Sequence, residues 1–429
     1  MSLPIGIGFL GAGTVGSALI RRLIYESDAI AAKTGLDLEV RGIAVKHLEK
    51  DRGIEIPAGL LTDRPAEVVD NPEVQIVVEV IGGLDPAGDL VMRALRSGKA
   101  VVTANKELMA SRGRDLLSAA EKAGVSLLFE AAVGGGIPII RPLSESLAGE
   151  RITSVVGIVN GTTNYILTRM AEEGSAYEEV LAEAQEMGYA EADPTADVGG
   201  GDAASKAAIL ASLAFGIWVD GAKVVREGIE DLRTEDFEFA RRLGYIPKLL
   251  AVAEDSAEGI GVRVHPTLVP LDHPLASVRG ATNAVFVSGP SIGELLFTGP
   301  GAGGEPTATA ILGDLIAAAR ERLAGTEVDA RIRFVAGHLR RPEDISTQWL
   351  LRITVIDRPG VLARIAGVFG THLVSIKSVW QDGRGDEATL LLVTHESPEG
   401  DLQKAASDLS KLDVVTEVAS AMRVYSQEI

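Results

Sequence analysis

The stretch Ile5-Gly6-Ile7-Gly8-Phe9-Leu10-Gly11-Ala12-Gly13-Thr14-Val15-Gly16 decides the fold of this chain. Its first six residues read as a buried parallel strand, its glycines as a tight turn, and the run from Val15 to Tyr25 as an amphipathic helix. A Gly-x-Gly-x-x-Gly match means little alone. Between a strand and a helix it marks a place where backbone can approach a pyrophosphate and a helix N-terminus faces its charge. Gly11, Gly13, Thr14, Val15 and Gly16 are therefore candidate dinucleotide contacts. The competing reading is a purely structural glycine turn in a domain that holds no nucleotide.

Working outward, strand candidates recur at Leu38 to Val45, Gln75 to Val80, Ala100 to Thr103 and Ser126 to Phe129. Helical segments such as Asp89 to Arg96 and Arg112 to Ala123 lie between them, and this alternation implies a parallel sheet with right-handed crossovers. The fold class is α/β, with a Rossmann-type doubly wound nucleotide domain over residues 1–130. From Ala131 the pattern changes to an α+β catalytic and dimerisation domain, 131–304, with a helix expected at Arg141 to Leu147 and strands at Val262 to Val269 and Ala284 to Ser288. After the turn cluster Gly299 to Gly304, the helical run Thr307 to Arg322 is placed to return to the first domain, which then includes about 305–325. A linker, 326–347, precedes a βαββαβ pattern over 348–429, the ferredoxin-like split motif. Its strands are read at Trp349 to Ile356, Leu373 to Trp380, Ala388 to Thr394 and Val414 to Val424, and its helices at Val361 to Phe369 and Asp401 to Leu409.

The 429 residues exceed what one core organises, in keeping with this division. A formal net charge of -19 argues against nucleic acid or an anionic membrane surface as partner. The chain has no cysteine, which excludes disulfides, thiolate metal sites and a thiol nucleophile, so a phosphorylating semialdehyde dehydrogenase is ruled out. No signal peptide precedes the first strand and no stretch has membrane-spanning character, so a cytoplasmic location is expected.

Cofactor choice turns on the end of the second strand, where an acidic residue is expected if a ribose hydroxyl is bound. Here the sequence reads Ala44-Val45-Lys46-His47, with Lys50 and Arg52 close by. Lys46 suits a 2'-phosphate and favours NADP, with NAD possible; a solvated basic face fits the same residues equally well.

Four carboxylates and a lysine crowd Glu191-Ala192-Asp193-Pro194-Thr195-Ala196-Asp197-Val198-Gly199-Gly200-Gly201-Asp202-Ala203-Ala204-Ser205-Lys206. Helical periodicity from Ala203 to Phe215 puts Asp202 and Lys206 one turn apart on one face. Hydride delivery to a carbonyl carbon leaves a developing alkoxide that needs a proton donor, and an ammonium among carboxylates is a candidate. On spacing alone a surface ion pair is the better reading. The surrounding Pro and Gly residues place Glu191, Asp193 and Asp197 on a loop.

These segments resemble the homoserine dehydrogenase family. The resemblance rests on Thr103-Ala-Asn-Lys106, on Phe129-Glu-Ala-Ala-Val-Gly-Gly-Gly-Ile-Pro-Ile-Ile-Arg-Pro-Leu143, on Gly157-Ile-Val-Asn-Gly-Thr-Thr-Asn-Tyr-Ile166 and on the Glu191 to Lys206 run, and covers nearly the whole chain. It implies reduction of L-aspartate 4-semialdehyde to L-homoserine, on the route to threonine and methionine, by a homodimer or homotetramer. It implies Lys206 as proton donor and Lys106 as a second catalytic lysine, at the nicotinamide and substrate. Glu191, Asp197 and Asp202 match the acids that hold the substrate's amino group and orient the lysine, while Asp193 has no assigned role. Thr103 and Gly303 join the cofactor contacts. A monovalent cation, usually sodium, is implied on the main-chain carbonyls of Glu130, Val133, Gly135 and Ile137. Gly199-Gly200-Gly201 departs from the family, which has a bulkier residue before the aspartate, and that puts the rigidity of Asp202 in question.

Asp357-Arg-Pro-Gly360-Val-Leu-Ala363 resembles the start of an ACT domain, a small-molecule sensing module. Asp357 and Gly360 are its candidate effector residues, with threonine as the implied effector; a pure dimerisation module is the competing reading. For the whole chain, the rival to a dehydrogenase is a non-catalytic regulator that senses NADP and an amino acid. That reading leaves the lysine and carboxylate cluster without a purpose.

Overall fold

Strand β1 (Ile5–Leu10) is buried at every residue, as a central parallel strand must be. The computed structural model describes residues 4–325, 332–383 and 386–426; residues 326–331 of the expected linker lie outside the described residues. After β1 come α1 (Thr14–Tyr25), α2 (Ser27–Thr34), β2 (Leu38–Ala44), β3 (Leu61–Thr62), α3 (Pro65–Asp70), β4 (Ile76–Glu79), α4 (Ala87–Arg96), β5 (Ala100–Thr103), α5 (Lys106–Ala123) and β6 (Leu127–Leu128). The six strands form one sheet in the order β3-β2-β1-β4-β5-β6, every pair parallel. Chain order reverses between β1 and β4, so their carboxyl ends flank the switch point where such sheets bind ligands.

The chain continues through β7 (Ser154–Ile158), α6 (Gly161–Glu173), α7 (Tyr177–Glu186), α8 (Thr195–Val198), α9 (Gly201–Phe215), β8 (Val225–Arg226) and α10 (Thr234–Arg242). Then follow β9 (Tyr245–Ser256), β10 (Gly259–Pro270), β11 (Thr282–Gly289), β12 (Gly293–Pro300) and α11 (Gly304–Ala324). The last module comprises β13 (Ser346–Ile356), α12 (Val361–Thr371), β14 (Ile376–Asp382), β15 (Glu387–Thr394), β16 (Ser397–Pro398), α13 (Glu399–Leu409) and β17 (Val415–Val424).

Two compact units result: 1–155 with 204–224 and 282–336, and 156–203 with 225–281 and 337–429. In the first unit, α11 packs along α1, and its Ile311, Leu312, Leu315 and Ala319 share a core with Ile7, Phe9, Leu19 and Ile20. The return of a distant helix is thus paid in apolar burial. The segment Arg141 to Leu147 is helical as expected, but in π rather than α form. It forms one wide turn, Pro142–Ser146, closed by the Leu147 N–H on the Pro142 carbonyl at 2.8 Å. Pro142 has no N–H to give, which limits propagation.

In the second unit, β9 and β10 pair antiparallel over their full lengths, Tyr245 opposite Pro270 and Ser256 opposite Gly259. β10 also pairs in parallel with β17, which leads through β13 and β15 to β14, all antiparallel. The βαββαβ module buries Trp349, Leu351, Ile353, Ile365, Phe369, Leu390 and Leu402 in its own core. β14 starts at Ile376 rather than Leu373, because Leu373 has a φ of 58° and cannot join a strand. Among the described residues no helix is long and apolar enough to cross a membrane.

Candidate functional site

The glycines of the first turn are required for different reasons. Gly11 has a φ of 106°, and a Cβ there would lie 2.8 Å from the Val80 carbonyl oxygen. A Cβ on Gly16 would lie 2.6 Å from the Gly11 carbonyl oxygen, so α1 could not seat on the turn. Gly13, the residue capping α1, has an ordinary φ of -79° and a Cβ direction that meets nothing within 4 Å. Neither φ nor packing demands a glycine there, and its bare backbone leaves room for a ligand to approach. At the start of α11, Gly303 has a φ of 120°, and a Cβ on Gly304 would lie 3.2 Å from the Thr14 carbonyl oxygen, so a second helix start abuts the same loop.

A cavity of about 370 Å³ beside this turn is lined by Gly13, Thr14, Ser17, Arg21, Lys50 and Arg52. Lys46 is exposed just beyond β2 and does not line it. The Arg52 guanidinium curls back onto the carbonyls of His47 at 2.5 Å and Lys50 at 2.6 Å, which fixes the basic loop.

At the end of β4, Glu79 is fully buried and accepts the Thr103 hydroxyl at 2.5 Å. Its other oxygen accepts the N–H groups of Ile81 at 2.9 Å and Gly82 at 3.1 Å. Thr103 in turn accepts the Asn105 N–H at 3.0 Å, and the Asn105 side chain caps α5 by accepting the Leu108 N–H at 3.0 Å. Lys106 is thereby set at the first position of a capped helix, half-buried. Glu79 is a structural member that the sequence reading missed: its partners are backbone groups and a residue one strand away.

The glycine-rich loop after β6 is held from both sides by buried carboxylates. Glu130 accepts the N–H groups of Ile139, Ile140 and Arg141 at 2.6, 2.8 and 2.9 Å. Asp314 of α11 accepts the Glu130 N–H at 2.8 Å and the Arg141 guanidinium at 2.6 Å. Between these anchors Gly134 and Gly135 take φ values of 74° and 55°, and a Cβ on Gly135 would lie 2.5 Å from the Gly301 carbonyl oxygen. No backbone N–H among the described residues donates to the carbonyls of Val133, Gly135 or Ile137. Such oxygens fit a hard cation, and among the described residues no cluster of His, Asp or Glu side chains is placed to hold a metal.

Burial pushes the Asp314 carboxyl up to about 7, against the Glu130 N–H and the Arg141 charge, which favour ionisation. Because the folded value lies above the unfolded one, the neutral acid's contribution is complete below about pH 4 and is lost as pH rises to about 7. Relative to Asp314→Asn, which cannot ionise, the wild type should lose about 4 kcal/mol of unfolding free energy between pH 4 and pH 8. Paired urea titrations across that range measure this, and a constant difference would refute it.

In the second unit, Asn160 caps α6, accepting the Thr163 N–H at 2.9 Å. Its amide nitrogen donates to Asp197 at 2.7 Å and to Asp202 at 2.9 Å, joining two carboxylates that are five residues apart in sequence. Asp202 lies in the first turn of α9, and Lys206, which belongs to the first unit, follows one turn later in the same helix. Asp202 is 6% exposed and Lys206 8%, so the two are not a solvated surface pair. Glu191 is exposed, and no hydrogen bond ties its carboxylate to this group among the described residues. Asp193 accepts the Thr195 N–H at 3.1 Å just before α8, and hydrogen bonding from Thr195 holds its carboxyl below the usual range. Lys248 is fully buried on β9 and donates to the Asn164 side chain at 3.0 Å and the Val278 carbonyl at 2.6 Å, which ties down α6. Burial lowers its pKa to about 8.

Comparison with known proteins settles the family. Residues 11–130 match the NAD binding domain of homoserine dehydrogenase, 138–316 the homoserine dehydrogenase family proper, and 349–414 the ACT domain. Homoserine dehydrogenases of Corynebacterium glutamicum and Bacillus subtilis are 45% and 44% identical, each over 98% of this chain and over 95% and 98% of their own lengths. The chain belongs to the homoserine dehydrogenase family. A crystal structure of a homoserine dehydrogenase from Thiobacillus denitrificans superposes with a TM-score of 0.93 at 42% identity, over 99% of both chains. A hyperthermophilic archaeal homoserine dehydrogenase solved in complex with NADPH gives a TM-score of 0.63 at 29% identity, over 74% of this chain and 98% of its own.

This homoserine dehydrogenase family member is thus an oxidoreductase with a Rossmann-type nucleotide domain, a mixed catalytic sheet and a C-terminal ACT domain. In the ACT domain, Gly360 caps α12 with a φ of 90°, and the Asp357 carboxylate accepts the Gln381 side chain of β14 at 3.1 Å.

Proposed function

We propose that the protein reduces L-aspartate 4-semialdehyde to L-homoserine, with Lys206 donating the proton. The observation that carries this reading is the burial of Lys206 one turn from Asp202, with Asp202 coupled through Asn160 to Asp197. Bound nicotinamide dinucleotide supplies the hydride. Lys206 gives its proton to the alkoxide oxygen that develops on the aldehyde carbon. Asp197 and Asp202 bind the substrate's ammonium group, with Asn160 fixing their spacing, and exposed Glu191 completes that shell. Lys106, at the start of α5, orients substrate beside the nicotinamide. A monovalent cation, sodium by the family resemblance, is assigned to the carbonyls of Glu130, Val133, Gly135 and Ile137, where it would fix the loop.

The test is NADPH oxidation on addition of L-aspartate 4-semialdehyde, followed at its absorbance band. No turnover would overturn the reading. Threonine, assigned to the Asp357–Gly360 turn of the ACT domain, should slow that same assay, and an unchanged rate at millimolar threonine would remove it as effector.

NADP is the assigned cofactor, because Lys46 and the cavity-lining Lys50 and Arg52 present positive charge where a 2'-phosphate would lie. The double variant Lys46→Ala/Lys50→Ala should lower kcat/KM for NADPH about tenfold and leave that for NADH unchanged, as expected for lost charge-assisted contacts. Equal effects on both cofactors would remove these lysines from phosphate recognition.

A further inference from the structure

The glycine run before Asp202 and a buried arginine of the ACT domain meet at one short segment. β9 occupies one edge of β10 over its whole length, so β8 and β17 must share the other. β8 pairs at Arg263 and Val264, and β17 at Thr267 and Leu268, both in parallel. Glu227, the residue after β8, therefore comes to Arg423 of β17. The Arg423 guanidinium bonds both Glu227 oxygens, one of them at 2.6 Å, and also the Glu399 carboxylate, with its Nε at 2.9 Å. Its Cζ lies 4.9 Å from the Trp349 ring centre. Glu399 is itself held by the Thr347 hydroxyl at 2.5 Å and the Trp349 indole N–H at 3.1 Å. Arg423 is thus fixed within the ACT domain, and Glu227, 44% exposed at its side chain, is what it grips.

The backbone on either side of Glu227 is seated against the catalytic loop. The Glu227 N–H donates to the Val264 carbonyl at 2.8 Å, and the Ile229 N–H to the Val198 carbonyl at 2.9 Å. A Cβ on Gly228 would lie 2.5 Å from the Val198 carbonyl oxygen and 2.9 Å from the Gly199 Cα. Facing it, Gly200 has a φ of 77°, and a Cβ there would lie 3.3 Å from the Glu227 carbonyl oxygen. The Gly200 N–H donates to the Asp197 carbonyl at 3.0 Å, so this run continues directly into the carboxylate pair. Glycine on both faces permits a backbone contact that any side chain would hold apart. The run is a packing surface rather than slack.

We propose that Arg423 is a positioning residue for the substrate carboxylates: by holding Glu227 it presses the Glu227–Ile229 segment onto Gly199 and Gly200 and so sets Asp197 and Asp202. The proposal rests on the reading of Asp197 and Asp202 as substrate-binding groups. The ACT domain then contributes to substrate binding through a contact that exists without any effector.

The test uses the full chain with Glu227→Gln, Arg423→Lys and the double variant. Glu227→Gln leaves Glu399 paired and the partly exposed site folded, so its thermal unfolding should match wild type. Its KM for aspartate semialdehyde should rise about five- to tenfold while KM for NADPH stays unchanged. The double variant should be no worse than the more impaired single, because both remove one interaction. Hydrogen exchange at the amides of 198–202 should quicken in Glu227→Gln, a readout independent of turnover. Unchanged exchange there, or an unchanged semialdehyde KM in an active wild-type background, would overturn the proposal. A wild type that turns over no semialdehyde would instead defeat the dehydrogenase reading and leave the exchange result to decide this one.

Discussion

Lys206→Met is expected to lower kcat for semialdehyde reduction by about 10³-fold, the range that a positioned proton donor supplies. Methionine keeps the length and apolar stem of the lysine, so a position only 8% exposed remains filled. The Asn160 bonds to Asp197 and Asp202 do not depend on the ammonium, so the carboxylate pair stays assembled. Cofactor binding, followed by NADPH fluorescence, should match wild type, because the residues of the glycine turn are untouched. The loss should then fall on kcat rather than on the KM for cofactor, which is the signature of an interaction made in the transition state. A variant retaining more than about a tenth of wild-type kcat would show that the proton comes from elsewhere.

Asp202 and Lys206 also show where sequence reasoning reaches its limit. Their spacing places them on one helix face, but spacing carries no information about burial, and at the surface such a pair contributes only tenths of a kcal/mol. The decisive contact is Asn160, which reaches both carboxylates from a helix cap some forty residues earlier. Asn160 sat in a recognisable run, Asn160-Gly-Thr-Thr-Asn164, yet nothing local to that run names its partners. Lys248 is less legible still. A lysine in an apolar strand reads as an edge residue, whereas here it is wholly buried and spends its donors on Asn164 and Val278.

The nucleotide domain was legible because each of its signals is local. Strand, glycine turn and helix follow one another within twenty-odd residues, and hydrophobic runs mark the later strands. The mixed region was harder. β9 runs from Tyr245 to Ser256 without strict alternation, since it is buried between neighbours through most of its length, and an apolar run of that kind reads equally as helix. The Gly199–Gly201 run was legible as a departure but not as a surface, because the segment that packs on it, Glu227–Ile229, is distant in sequence.

Gly13→Val separates cofactor recognition from folding at the turn that defines the domain. Valine at Gly11 would need a φ of 106°, and at Gly16 its Cβ would meet the Gly11 carbonyl, so both substitutions should damage the fold. At Gly13 the φ of -79° suits any residue and the Cβ direction is open for 4 Å. The apo protein should therefore unfold at or slightly above the wild-type temperature, since replacing glycine also restricts the unfolded chain. If the cofactor is bound as proposed, the space a side chain would take is the approach of its pyrophosphate to the start of α1, where the helix N–H groups and dipole would receive it. Forcing that much extra volume into a close contact costs about 1–3 kcal/mol, so NADPH binding should weaken by about 5- to 150-fold. Calorimetric titration with NADPH beside thermal unfolding of the apo protein measures both terms. Native affinity with native stability would mean that the pyrophosphate does not pass over Gly13, and a loss of both would mean that this glycine serves the fold.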